Sequence, residues 1–281
     1  MPELPEVESV RRRLHPYLTG HRVERVELRR PDLRVPFPRR FRARLTGQDV
    51  DSLTRRAKYL LATLSSGETL LMHLGMSGSF RVDPLDAAGI DVRDERSLES
   101  DRHDHVVFHM SSLVAVTFND PRRFGFMDLL TPAGLARHKV LSRLGPEPLS
   151  SSFDAAALAR ACTGKRVALK VALLDQRVVA GLGNIYASEA LHLAGLSPFR
   201  SASTIATPGG APRAGARRLV DAIKRVLTQA IDRLAITDYR SSRFRVYDRE
   251  GEPCRRARCN GIVRRRVQAG RATFSCPVCQ R

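Results

Sequence analysis

The sequence lacks a long hydrophobic run. No stretch approaches the roughly 20 apolar residues that a membrane-spanning helix needs, although 42% of the chain is hydrophobic. The first residues include several acids and contain no apolar core of a secretory leader. These two absences argue against a membrane partner and against export. We expect a folded, cytoplasmic protein, because 281 residues of this composition can form real cores.

Lysine is scarce as well. It accounts for five of the 48 basic residues, arginine makes up the rest, and the formal net charge is +19. A charge of that size indicates a polyanionic partner, and arginine suits bidentate contacts to phosphate and guanine, although an arginine excess can also reflect genomic base composition. Residues 239–281 hold 12 arginines, no lysine and three acids, a net charge of +9. Almost half of the excess charge therefore lies at this end, and we expect a nucleoid-associated location.

Cysteine is rare too, with five in the chain. A cytoplasmic protein keeps its thiols reduced, so clustered cysteines indicate metal ligands rather than disulfides. Cys254, Cys259, Cys276 and Cys279 have the spacing C-x4-C-x16-C-x2-C, and four thiolates in two close pairs can hold one structural Zn²⁺ in a zinc ribbon. Four incidental free cysteines are the alternative. Cys162 stands apart and is expected in a core.

The periodicity of apolar residues divides the chain. Residues spaced by three to four positions from Leu4 to Leu14 predict a first helix, which Gly20 ends. Residues 21–130 carry short β-type segments, which predict a β-sandwich or barrel, with a polar surface loop over Asp83–Asp104. A linker is predicted at 145–152. Helices are predicted beyond it, at Phe153–Ala161, Val167–Leu174, Ile185–Ala194 and Ala214–Leu234.

One glycine-rich motif, Gly181-Leu182-Gly183-Asn184, leads into a predicted helix. Free backbone N–H groups and the dipole at such a helix start favour an anion, and Asn184 adds a side-chain donor. The motif therefore predicts a phosphate clamp. A capped helix start without a ligand is the alternative.

A second motif, Asn119–Gly125, places Arg122 and Arg123 beside Phe124 in a turn. Guanidinium groups can contact phosphate or an orphaned base, and an aromatic ring can wedge into a base stack. Alone, the motif is explained as well by a solvated arginine pair and a buried phenylalanine.

The N-terminus carries a third candidate. Removal of Met1 would expose the secondary amine of Pro2, and an α-amine with a pKa of roughly 7.7–8 is partly neutral at physiological pH. A neutral amine attacks an aldehyde-like carbon to form a Schiff base, and Glu3 beside it could move protons. A well-capped helix is the simpler interpretation of these residues alone.

Taken together, the motifs closely resemble the bacterial formamidopyrimidine-DNA glycosylase family, also called 8-oxoguanine DNA glycosylase. They span nearly the whole chain in the family's order. The segments that carry the resemblance are Met1–Glu8, Arg55–Leu60, His73–Gly78, His103–His105, Asp120–Gly125, Gly183–Glu189 and the cysteine module.

The resemblance implies an α+β fold. It consists of an N-terminal helix plus a β-sandwich domain, a helical domain with a helix–two-turn–helix, and a C-terminal zinc ribbon. We place the catalytic sandwich domain at 1–131, the linker at 132–152, the helical DNA-binding domain at 153–240 and the zinc-finger hairpin at 244–281.

It also implies a bifunctional glycosylase and lyase. Pro2 would attack C1′ of a damaged nucleotide and expel the base, Glu3 would donate a proton, and Lys58, on the sheet, would act as a further acid. β- and δ-elimination would then cut the strand, with Arg271 gripping the lesion's phosphates and serving the δ step. The expected partner is double-stranded DNA with an oxidised base or an abasic site, bound by a monomer.

Seven further residues match DNA contacts of the family. Met76, Arg122 and Phe124 would fill the space that a flipped nucleotide leaves, since extrusion costs a few kcal/mol. Asn184, His103 and Lys165 match contacts to the DNA backbone. Glu6 matches a supporting acid in the base pocket.

The chain departs from the family in two places that bear on function. The first departure is the spacing of the first cysteine pair, which is C-x4-C rather than C-x2-C. The second is the segment 231–247, which is shorter than the family's usual segment and has Thr237–Arg240 in place of a longer mobile loop. The second departure weakens the expected preference for 8-oxoguanine. An endonuclease VIII-like enzyme for oxidised pyrimidines and a non-catalytic zinc protein that binds damaged DNA are the alternatives.

Overall fold

The computed structural model describes residues 2–86, 102–235 and 244–281. The chain divides into two compact units. Unit 1 contains residues 1–2 and 6–142, and unit 2 contains residues 3–5 and 143–281. The first residues are therefore shared between the units, and Glu3 belongs with the second half of the chain.

Unit 1 is built mainly of strands. Helix α1 runs over Leu4–Leu18, and two short helices are α2 (Phe41–Leu45) and α3 (Pro132–Ala136). The strands are β1 (Val23–Leu28), β2 (Val50–Arg56), β3 (Tyr59–Leu64), β4 (Thr69–His73), β5 (Ser79–Pro84), β6 (Asp104–Met110), β7 (Val114–Asn119) and β8 (Phe126–Leu130).

The strands form two antiparallel four-stranded sheets, ordered β1-β6-β7-β5 and β2-β3-β4-β8. Their registers align buried side chains across neighbouring strands, because alternate residues face the same side of a sheet. In the second sheet Leu60 pairs with Met72, and Met72 pairs with Met127. In the first sheet Phe108 pairs with Val116. These residues belong to one hydrophobic cluster, so the two sheets share a sandwich core.

Unit 2 is helical up to its last hairpin. Its helices are α4 (Ala155–Cys162), α5 (Leu169–Leu174), α6 (Asn184–Ala194) and α7 (Ala214–Leu234). Nine of the eleven residues of α6 are buried, so this helix runs through the unit rather than along its surface. The hairpin consists of β9 (Arg264–Gln268) and β10 (Arg271–Ser275). In residues 244–281, the hairpin module, the hydrophobic cluster has three buried members, Val246, Val263 and Phe274, and the partly buried Tyr247 and Ala272 pack against them.

The α+β fold class is confirmed. The sheets of unit 1, the helices of unit 2 and the C-terminal hairpin follow the predicted order. Helix α7 has the predicted bounds, while α4 and α5 begin two residues later than predicted. None of the helices in the described ranges is long and apolar enough to cross a membrane.

Some predicted boundaries were wrong, and others lie outside the described residues. Asp83 belongs to β5 and Asp104 to β6, so both ends of the predicted polar loop are strand residues. The interior of that loop (87–101) and the segment Thr237–Arg240 are outside the described ranges.

Gly75 lies at a close approach between two turns of unit 1. Its φ is +63°, and a Cβ atom there would lie 2.3 Å from the backbone N of Gly125 and 2.3 Å from the backbone C of Phe124. Both contacts are backbone, so a side chain cannot be accommodated by a rotamer change. The position therefore requires glycine for two reasons: its φ is positive, and the neighbouring backbone leaves no space for a Cβ atom.

We expect Gly75→Ala to lower the melting temperature by at least about 5 °C, since left-handed strain of about 1–2 kcal/mol adds to the displaced turn. Thermal unfolding followed by circular dichroism measures it. Gly67→Ala is the matched control, because Gly67 has φ +79° but no atom within 4 Å of the added Cβ. Equal losses in both variants would contradict the contact argument.

Candidate active site and nucleic-acid interface

The carboxylate of Glu3 is seated on the N-terminus of α6. Glu3 is 2% exposed. Its Oε1 accepts a hydrogen bond from the backbone N–H of Ile185 at 2.9 Å, and its Oε2 accepts one from Tyr186 at 3.3 Å. These are N–H groups that a helix leaves without partners inside the helix, at the positive end of its dipole. The start of the chain is thereby anchored, and Pro2 is the residue bonded to Glu3.

Two glycines make room for this seat. A Cβ atom at Gly183 would lie 2.2 Å from Cδ of Glu3. Gly181 has φ +81°, and a Cβ atom there would lie 2.7 Å from a methyl carbon of Leu4. The backbone N–H of Leu4 also donates to the carbonyl of Gly181 at 3.1 Å. The glycine-rich motif therefore receives a carboxylate of the same chain.

A second cluster of unit 2 lies next to Arg271. Nδ2 of Asn184 and Nζ of Lys170 both donate to the carbonyl oxygen of Ala272, at 3.0 Å and 2.9 Å. Lys170 also donates to Oγ1 of Thr273 at 2.8 Å. Asn184 and Lys170 thus hold the strand residue that follows Arg271, while the Arg271 side chain itself is exposed.

Lys170 is a buried cation that the sequence reasoning missed. It is 1% exposed, and burial, with the positive charge of Arg271, lowers its pKa to about 8 against an opposing effect of Glu3. Its position inside the apolar run Leu169–Leu174 was the one sequence feature that hinted at burial. That feature could not show which groups would partner a buried lysine, because only the fold brings them together.

Lys58 lies in unit 1, in the turn between β2 and β3 rather than on a strand. It is 9% exposed, and Ala57 before it has φ +52°. Burial and the charges of Lys58 and Arg34 lower the pKa of His73 to about 4. His73 is therefore neutral at physiological pH, and its Nδ1 accepts a hydrogen bond from the N–H of Gly75 at 3.1 Å.

Two turns of unit 1 carry the predicted void-filling residues. Met76 is 39% exposed and Phe124 is 42% exposed. The guanidinium carbon of Arg122 lies 5.0 Å from the centre of the Phe124 ring. All three residues line one open concave surface. Large apolar side chains exposed beside an arginine are available to contact bases.

Asp120 joins these two turns, and it was not singled out from the sequence. It is fully buried. Its Oδ1 accepts from Oγ of Ser77 at 2.5 Å and from the N–H of Arg122 at 3.3 Å, while Oδ2 accepts from the N–H of Gly125 at 2.7 Å. Asp120 therefore fixes the backbone that presents Arg122 and Phe124.

The remaining predicted contacts are partly buried and lie in different elements. Glu6 is on α1. The carbonyl of His103 accepts from the N–H of Asp120 at 3.0 Å, which places His103 beside the second turn. Lys165 follows α4 in unit 2, and its carbonyl accepts from Oγ of Ser201 at 3.0 Å.

The four clustered cysteines fit a metal ion. Their sulfur atoms all lie within 4.8 Å of one another, and the pairs Cys254–Cys279 and Cys259–Cys276 are each separated by 3.7 Å. Zn–S bonds of about 2.3 Å in a tetrahedron separate sulfurs by about 3.8 Å. A Cβ atom at Gly261 would lie 2.4 Å from Sγ of Cys276, so glycine leaves space for that thiolate. Cys162 is buried elsewhere, and burial raises its pKa to about 11.

Two family models match the chain. The formamidopyrimidine-DNA glycosylase N-terminal domain matches residues 1–127, and the H2TH domain of the same glycosylase matches residues 144–240. A curated formamidopyrimidine-DNA glycosylase from Rhodopseudomonas palustris strain BisA53 is 56% identical over 294 aligned positions, covering 100% of both chains.

Solved structures agree. Two chains of the Lactococcus lactis enzyme, one in complex with DNA that contains an abasic site and one with DNA that contains an oxidised pyrimidine, are each 30% identical, with TM-scores of 0.84 and coverage of 100% of both chains. Similarity at this level and over this length is not confined to one motif or one domain. The chain belongs to the formamidopyrimidine-DNA glycosylase family, the DNA glycosylases of base excision repair.

Proposed function

We propose that this chain removes oxidised purines, formamidopyrimidine and 8-oxoguanine, from double-stranded DNA and then cleaves the abasic strand. The observation that carries the proposal is the seat of Glu3 on α6. These two hydrogen bonds hold the acidic side chain of Glu3 in one position, and Glu3 is the residue bonded to the proposed nucleophile, Pro2. Catalytic groups gain rate when their positions are set before the substrate binds.

The proposed first step uses the amine of Pro2, freed by removal of Met1. Its neutral form attacks C1′ of the damaged nucleotide, the bond from C1′ to the base breaks, and the base leaves with a proton supplied by an acid of the site. Glu3 is the proposed donor, after its carboxylate has taken the proton that the Pro2 amine loses when it attacks. The C1′–O4′ bond then breaks as O4′ takes a proton, and the product is an iminium ion between Pro2 and the opened sugar.

Strand cleavage follows from that iminium ion. It acidifies the proton at C2′, so loss of this proton breaks the C3′–O bond, and a second elimination breaks the C5′–O bond. Lys58 is the proposed further acid and phosphate contact. Arg271 is proposed to grip the phosphates and serve the second elimination, and the hydrogen bonds of Asn184 and Lys170 to the neighbouring Ala272 support that placement.

Recognition of the lesion is proposed to use the two turns of unit 1. Met76 and Phe124 would replace the stacking of the extruded nucleotide, and Arg122 would face the opposite base. Backbone contacts are assigned to Asn184, His103 and Lys165, and the base pocket to Glu6. The charge of +19 suits binding by a monomer to DNA in the nucleoid of the cytoplasm.

One observation favours a second substrate class. A solved relative from Lactococcus lactis was crystallised with DNA that contains an oxidised pyrimidine. A panel of duplexes with formamidopyrimidine, 8-oxoguanine or an oxidised pyrimidine would rank the three by kcat/KM. A preference for the pyrimidine would assign the endonuclease VIII-like alternative.

We also propose that Cys254, Cys259, Cys276 and Cys279 hold one structural Zn²⁺. The ion would supply folding energy, since three buried hydrophobic residues in the described part of the hairpin module form too small a core to stabilise it alone. The predicted limits of the four segments, 1–131, 132–152, 153–240 and 244–281, remain part of this proposal.

The nucleophile is tested by borohydride trapping. We expect the protein with Met1 removed, verified by mass spectrometry, to become covalently joined to duplex DNA with 8-oxoguanine opposite cytosine, because borohydride reduces the iminium ion. A variant with one extra residue before Pro2 is the control, since its proline nitrogen is a peptide nitrogen. We expect no trapping with it. Equal trapping by both proteins would refute the role of Pro2.

The void-filling role is tested with Phe124→Ala. We expect kcat/KM on duplex 8-oxoguanine to fall about 10–100-fold, which corresponds to about 1.4–2.7 kcal/mol of lost stacking. The loss should be smaller on a single-stranded lesion, where extrusion costs less. Leu113→Ala is the control, because Leu113 is 53% exposed on another turn. A loss that is the same on single and double strands would contradict stacking.

Metal analysis tests the zinc site. We expect one zinc per chain in the purified protein and in Cys162→Ala, which removes the cysteine outside the cluster. Cys259→Ser should lose most of the metal, because a neutral hydroxyl is a weak zinc ligand. Folded wild-type protein with almost no zinc would refute this assignment.

A further inference from the structure

The cysteine cluster lies against the C-terminal end of α6 through a histidine. His192 is 1% exposed, and its Nε2 lies 3.2 Å from Sγ of Cys254 and 3.8 Å from Sγ of Cys279. No described residue or backbone group partners its Nδ1. A neutral imidazole carries one proton, and the nitrogen that faces an acceptor keeps it. The proton is therefore placed on Nε2, pointing at the sulfur of Cys254.

The residues between Cys254 and Cys259 contact the same helix end. Nη2 of Arg256 donates to the backbone carbonyls of His192 and Leu193, the second at 3.1 Å. These carbonyls belong to the last turn of α6, the negative end of the helix dipole, where a guanidinium is favourable. A two-residue gap between the cysteines would leave fewer positions for such an arginine. The widened C-x4-C spacer therefore contains an anchor.

The polypeptide around the last cysteine pair is attached nearby. Nε2 of Gln280 donates to the carbonyl of Leu196 at 3.0 Å, and Oε1 of Gln280 accepts from the N–H of Cys276 at 2.8 Å. Both cysteine pairs of the cluster are thus tied to α6 or to the residues that follow it. Within α6, the opposite end holds the carboxylate of Glu3.

We propose that His192 is a positioning residue of the zinc site, which donates an N–H···S hydrogen bond to the thiolate of Cys254, and that Arg256 fixes the spacer to α6. This inference rests on the proposed zinc site. A hydrogen bond stabilises the negative charge of a coordinated thiolate and holds its orientation, as outer contacts of metal ligands do. The metal site and the spacer are then held rigidly on the C-terminal end of α6, while Glu3 is held at the N-terminal end of the same helix.

The test is the rate at which the zinc-loaded protein releases metal to an excess of a coloured chelator. We expect His192→Phe, which fills the space without a donor, to release zinc about 10–100-fold faster. His192→Gln should recover most of the slow release, because its amide can donate to the same sulfur. Arg256→Ala should also release faster. Arg258→Ala, an exposed arginine of the same spacer, should match the wild type.

Cobalt substitution adds a spectroscopic readout. The wild type should show the absorption of four thiolates on Co²⁺, with sulfur-to-metal bands that shift to longer wavelength in His192→Phe and return in His192→Gln. A wild-type spectrum of three thiolates and one imidazole would overturn the proposal, since His192 would then be a ligand. Unchanged release from His192→Phe would overturn it too.

The two levels of the proposal fail in different ways. One zinc per chain with release that His192→Phe does not change would refute the role of His192 and leave the zinc site intact. Wild-type protein that binds no zinc would refute both. If His192→Phe does not fold, the zinc release of His192→Gln, Arg256→Ala and Arg258→Ala is compared with that of the wild type. Faster release from Arg256→Ala alone supports the anchoring role of Arg256. Equal release from the wild type and all three variants refutes that role.

Discussion

The hydrogen bonds between the Glu3 carboxylate and the N-terminus of α6 constrain much of what unit 2 contains. An anion within 3.3 Å of two helix N–H groups leaves no room for a side chain at Gly183. The turn before the helix must also bend through a positive φ at Gly181. The helix start that suggests a site for an external phosphate is thus occupied by the protein's own acid, and Nδ2 of Asn184 donates to the carbonyl of Ala272 in the hairpin.

Helix α6 carries more than that one contact. In its middle, the buried carboxylate of Glu189 accepts hydrogen bonds from the backbone N–H groups of three successive residues, 245–247, which lead into the cysteine module. At its end, Arg256 contacts the last carbonyls. Since buried charges are costly unless paired, each of these groups specifies one arrangement of the hairpin module on the helix. A single helix therefore supports both the acid at the chain's start and the arginine-rich end.

The sequence could predict the fold class because periodicity and order along the chain carry that information, and α7 was predicted to the residue. The cysteine cluster was predictable for a similar reason, since ligand spacing is local. Lys170 and Asp120 were not predictable in this way. Their partners, Ala272 and the turn at Gly125, are distant or depend on how a turn folds. In the sequence, a polar residue that will be buried cannot be distinguished from an ordinary surface residue, because its partner is identified only in the folded structure.

The C-x4-C spacer shows how the same limit applies to a departure from a family pattern. From spacing alone, two added residues are a bulge in a hairpin that tolerates them. In the structure one residue of the spacer, Arg256, donates hydrogen bonds to the carbonyls of α6, while Arg258 is exposed with φ +60°. Tetrahedral coordination constrains the sulfur atoms and not the length of chain between them. A longer spacer is therefore compatible with the metal site, and in this chain its Arg256 donates to the carbonyls of His192 and Leu193 at the end of α6.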